Sequence, residues 1–132
     1  MPPWAVTIGP KNGYPTDGAR QVRIPNPAAF LAQKILIHHK REREDKAKDI
    51  LYIHDTIETF GGNLPAIRDA WESNVKPALH IKASRNVRGA AETYFSEVDD
   101  TIREAAQIAI GRSLTPEMLR ELCQYGWMQV FA

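Results

Sequence analysis

The chain has 132 residues, a formal net charge of +1, 43% hydrophobic and 25% charged residues, and one cysteine, Cys123. That balance excludes intrinsic disorder and a global field that recruits polyanions, and the lone thiol excludes an intrachain disulfide. No apolar run approaches the ~20 residues a membrane span needs. Met1-Pro2-Pro3-Trp4 lacks a signal-peptide layout, so the expected compartment is the cytoplasm.

Residues 1–26 read as extended. Ala5-Val6-Thr7-Ile8 is β-prone and closed by Gly9-Pro10, Asn12-Gly13 is a turn signal, and Ala19 to Ile24 is a second β-prone run. Asn26 can cap the next helix, with Pro27 in its first turn. Phe30, Leu31, Ile35 and His38 mark one face of that helix, and Lys34 and Arg41, seven apart, share a stripe. Glu42 to Lys48 is almost wholly charged and reads as an exposed helix start or a short loop. Ile50, Leu51, Ile53, His54, Ile57 and Phe60 then repeat with helical period until Gly61-Gly62.

A third helix carries Leu64, Ile67, Ala70 and Trp71. Val75 to Lys82 is ambiguous. Asn86 to Ile110 reads as one long amphipathic helix, including Asp99-Asp100, and Gly111 ends it. Thr115-Pro116-Glu117 opens a last helix through Leu119, Leu122, Cys123 and Trp127. The expected fold is α+β and mostly helical. A short strand pair over 1–26 precedes a bundle of about five helices over 27–132, all in one domain that belongs to a larger unit.

The chemistry-bearing run extends from Lys34 through Lys40-Arg41 to Lys48-Asp49. Lysine binds phosphate as a mobile point charge, and cations beside a carboxylate can hold a triphosphate and its metal. The plainer reading is a solvated charged face, and both readings stand on the residues alone. His38, His39 and His54 lack zinc-type spacing, so no metal ligands are assigned. Cys123 reads as a buried structural thiol.

Val22-Arg23-Ile24-Pro25, Phe30-Leu31-x-x-Lys34, the basic residues after it and Lys48-Asp49-Ile50-x-x-Ile53 together resemble the later part of a nucleotidyltransferase-fold domain. The nearest likeness is to the bacterial minimal nucleotidyltransferases, a group that includes abortive-infection toxins of two-gene systems. The resemblance covers about residues 20–60. It implies that Lys34 binds nucleoside triphosphate with Lys40 or Arg41 assisting, and that Lys48 and Asp49 complete the site with Asp49 at the reacting centre. It also implies Mg²⁺, held by the aspartates of an Asp-x-Asp strand that follows a Gly-Ser turn at the opening of the family's core. This sequence contains neither pattern. The expectation is therefore a catalytically incomplete part of such a protein, and whether it acts as an enzyme stays open.

The competing expectation is a non-catalytic helical module that binds a protein partner or a second copy of itself. Nucleic acid is disfavoured as a ligand of Lys40–Lys48, because Glu42, Glu44 and Asp45 interrupt its charge.

Overall fold

The computed structural model describes residues 26–132 throughout and, of those before them, only the backbone of two short segments. These segments, Trp4–Ile8 (β1) and Arg20–Ile24 (β2), form an antiparallel ladder with Val6 opposite Val22. The turn signals at Gly9-Pro10 and Asn12-Gly13 lie outside the described residues.

The remainder is mostly helical. The helices are α1 Pro27–Ile37, α2 Arg43–Thr59, α3 Leu64–Ala70, α4 Ile81–Arg88, α5 Ala90–Tyr94, α6 Asp100–Ile108 and α7 Pro116–Phe131. None of the described helices is long and apolar enough to cross a membrane.

Local chemistry explains the helix starts. Asn26 Oδ1 accepts from the Ala28 N–H at 2.9 Å, with Pro27 at the first position of α1. Thr115 Oγ1 accepts from the Met118 N–H at 3.1 Å, with Pro116 opening α7. In each case a side-chain oxygen satisfies a donor that the helix itself cannot.

One alternative is settled and one expectation corrected. Of the two readings of the charged run Glu42–Lys48 the helix start holds: Glu42 precedes α2, which starts at Arg43, so Lys48 and Asp49 lie in its second turn. Glu44 and Asp45 in the first turn complement the helix dipole there. The single helix expected over 86–110 is three pieces, α4, α5 and α6. Asp99 causes the second break: it is extended (ψ −177°) and its Oδ1 accepts from the Ile102 N–H at 2.8 Å, capping a new helix. A carboxylate that caps its own downstream backbone competes with helix continuation. The ambiguous stretch before α4 is a π-turn at Trp71–Val75 and a 3₁₀ turn at Lys76–Ala78.

The buried residues of these helices form one hydrophobic cluster. α7 lies at its centre, where Trp127 packs on Phe131 (ring centroids 4.4 Å) and Phe131 meets Trp71 edge-on (4.9 Å). α7 approaches α2 through Gly126. A Cβ there would run into the Ile57 side chain, with Cδ1 at 2.9 Å and Cγ2 nearer still. Glycine costs a helix interior ~1 kcal/mol relative to alanine, and here it secures close helix contact instead. α2 is thereby held at a fixed height, and α2 carries Asp49.

Candidate functional site

α1 presents Lys34 towards α2, and α2 presents Asp49 in return. Between them the chain leaves α1 at Ile37, makes a 3₁₀ turn over His38–Lys40 and becomes extended at Arg41. Lys34 and Arg41 therefore do not share a helical stripe, as their spacing suggests. They meet by converging on one carboxylate.

Lys34 Nζ donates to Asp49 Oδ1 at 3.0 Å. Arg41 Nε donates to Oδ2 at 2.9 Å and Nη2 to Oδ1 at 3.4 Å. The Asp49 side chain is 0% exposed, against 19% for Lys34 and 35% for Arg41. A buried carboxylate thus anchors two cations whose other sides face solvent. The hydrogen bond to Asp49 holds the Arg41 guanidinium above its usual pKa. Lys34 is also flanked by aromatic rings: its Nζ lies 5.5 Å from the Phe30 centroid and 5.4 Å from that of Tyr52. Both distances are within cation–π range.

Of the five residues assigned to the site from sequence, the structure brings Lys34, Arg41 and Asp49 together. Lys40 and Lys48 are exposed and make no ion pair with a described residue. Each is next in sequence to a member of the triad, so free positive charge stands beside the paired cations. Tyr52, 47% exposed, is the member the sequence reading missed. Its signal was present, since it follows Asp49 by three and so shares that helix face.

His38 lies beneath this junction. It is buried, its ring meets Tyr94 edge-on at 4.8 Å, and Nδ1 has no hydrogen-bond partner. Desolvation first, then Lys46 and His39, push its pKa below 6.5, while Asp49 and Asp99 oppose the shift. The folded chain therefore keeps His38 neutral, whereas the unfolded chain takes up a proton as pH falls below 6.5. Stability should fall as pH drops through that value towards the folded pKa, by no more than ~1.4 kcal/mol per pH unit. Urea midpoints at pH 7.5 and 5.5 should show the drop in the wild type and a smaller one in His38→Leu.

A second ionic cluster lies farther along α2. His54 Nδ1 is 3.0 Å from Asp55 Oδ1, and Arg112 clamps Asp55 through Nη2 (2.6 Å) and Nη1 (3.2 Å). Burial pushes the Asp55 carboxyl up, but the hydrogen bonds from His54 and Arg112 outweigh it and hold the group below 3.8. This cluster ties the segment after α6 to α2. Among the described residues no three His, Cys, Asp or Glu side chains converge as metal ligands. Asp49 does not fit a Mg²⁺ ligand either, because cations already occupy both its oxygens.

Neither the curated proteins nor the solved structures contain a significant match to the chain. A nucleotidyltransferase family profile matches residues 1–76, which is more than half of the 132 residues and includes Lys34, Arg41 and Asp49. The chain belongs to the nucleotidyltransferase family.

Proposed function

We propose that this chain is the triphosphate-binding part of a nucleotidyltransferase unit working in the cytoplasm, in which β1–β2 and the helices form one α+β element. The observation that carries the reading is the convergence of Lys34 and Arg41 on buried Asp49 inside the family-matched region. Asp49 positions the two cations rather than reacting itself. It fixes long side chains that would otherwise lose entropy on gripping phosphate. Lys40 and Lys48 supply charge that no described carboxylate neutralises. Transfer needs metal-binding carboxylates that the sequence does not offer as an Asp-x-Asp pair, so Mg²⁺ and the reacting centre require another chain or further sequence.

Thermal unfolding with each of the four nucleoside triphosphates, with and without Mg²⁺, tests the reading. At a hundredfold excess over Kd a ligand of the folded state adds ~2.7 kcal/mol, a melting shift of several degrees. Lys40→Ala and Lys48→Ala should lose that gain while their ligand-free melting temperatures stay put, since neither side chain holds the fold. No shift with any triphosphate, or a full shift in both variants, overturns the proposal.

A protein partner or a second copy fits a separate surface. Ile110 is 82% exposed beside a cleft of about 580 Å³ between α6 and α7 lined by Ala106, Ala109 and Leu114.

A further inference from the structure

The positive charge of the chain is unevenly placed at and beyond the end of the family-matched region. No Asp or Glu occurs between Glu72 and Glu92, while Lys76, Lys82, Arg85 and Arg88 all fall in that interval. The last three belong to α4, and all three are exposed. Successive steps of three place Lys82 beside Arg85 and Arg85 beside Arg88 on the helix surface.

The arginines of α4 are also unlike the other arginines among residues 26–132. Arg41, Arg43, Arg103 and Arg112 are paired with carboxylates, and Arg68 and Arg120 donate to backbone carbonyls. The guanidinium groups of Arg85 and Arg88 have no hydrogen bond or ion pair with any described residue. Guanidinium groups left unpaired on one short helix are available to an external anion.

Two clefts meet at Arg85. One, of about 260 Å³, is lined by His39, Arg85, Asn86, Thr93 and Tyr94 and has no acid in its wall. It is small beside the ~300–1,000 Å³ of enclosed ligand pockets, and suits a base or sugar better than a whole cofactor. The other, of about 620 Å³, runs past Arg88 to Gln124 at α7 and to Ala132, with Glu92 as its one acidic side chain. Cations that track a backbone, an aromatic ring and an imidazole that can stack, and an amide able to read a base edge are the parts of a single-strand binding groove.

We propose that the exposed face of α4, with the cleft between His39 and Tyr94, binds single-stranded nucleic acid. Its cations are not those of the Lys40–Lys48 run, which alternate with acids, although His39 of the cleft shares a 3₁₀ turn with Lys40. The strand's phosphates lie along Lys82, Arg85 and Arg88, and an unstacked base enters the cleft against Tyr94. RNA and DNA strands share this chemistry, and the 2′-hydroxyl distinguishes them. The site depends on no part of the triphosphate reading.

Fluorescence anisotropy of the full chain with labelled mixed-sequence RNA and DNA 12-mers tests it, across salt from about 50 to 200 mM. Three phosphate contacts predict a log–log salt slope of about −2 for at least one of the two strands. Arg85→Gln with Arg88→Gln should weaken binding at least tenfold and leave the circular dichroism melt unchanged. Arg43→Gln with Arg103→Gln, which removes the same charge elsewhere, should change it little. Three outcomes would each overturn the proposal: no binding of either strand at the lowest salt, equal loss in both double variants, or a duplex of the same length binding as well as the single strands.

Discussion

Lys34→Met should destabilise the chain by about 3 kcal/mol, and Asp49→Asn by about half as much. The difference follows from where each group can go. Asp49 is fully buried, so removing Lys34 leaves a carboxylate with only Arg41, which approaches from the more exposed side. Breaking a buried pair typically costs ~3–5 kcal/mol because the remaining charge is uncompensated, and one remaining partner here moderates that. Removing Asp49 instead frees two cations that already touch water and can turn outwards. Lys34→Met with Asp49→Leu should then be more stable than Lys34→Met alone, since replacing an ion pair by apolar groups of similar volume is often neutral. Urea midpoints of these variants, of Asp49→Leu alone and of the wild type close the cycle. If Lys34→Met proves neutral, Asp49 is not anchoring the cations, and it becomes available for chemistry again.

That result also bears on function. A carboxylate placed to react must be able to release its partners, whereas one placed to orient must not. Lys34→Met removes both a proposed phosphate ligand and a support, so a loss of nucleotide binding in that variant alone is ambiguous. Lys40→Ala and Lys48→Ala separate the two roles because they remove charge without touching the carboxylate.

How much of this was legible in the sequence depends on the range of the interaction. Caps act over three residues, and Asn26-Pro27 and Thr115-Pro116 are where local chemistry puts them. Lys34, Arg41 and Asp49 were legible as a group, but not their geometry. The helical stripe invoked for Lys34 and Arg41 assumes a helix that in fact ends at Ile37, and only the extended backbone at Arg41 lets both reach Asp49. The break at 95–99 was hidden because Phe95, Val98 and Ile102 keep a three-and-four spacing across it. Asp99 was the available signal, a capping residue inside an apolar repeat. The unpartnered His38 and Trp71 nitrogens could not be read at all, since partnership at that distance is a property of the packed core.

Trp127→Ala should cost about 4 kcal/mol, a large share of the ~5–15 kcal/mol that holds a domain of this size. Trp127 is 1% exposed, stacks on Phe131 and lies 5.8 Å from the Phe95 ring. Its Nε1 also donates to the Val87 carbonyl at 2.6 Å, so α7 ties down the last turn of α4. Trp71 offers an internal control. It is equally buried, but its Nε1 has no hydrogen-bond partner. Replacing either tryptophan by phenylalanine removes similar volume. Trp127→Phe additionally takes the indole donor from the Val87 carbonyl, while Trp71→Phe removes a donor that was already unsatisfied among the described residues. Trp127→Phe should therefore cost ~1–3 kcal/mol more than Trp71→Phe in urea midpoints. Equal costs would mean that the α4–α7 hydrogen bond adds nothing to packing. The expected gap would show that the indole N–H, together with buried Val87, helps hold α4 and its exposed arginines on the core.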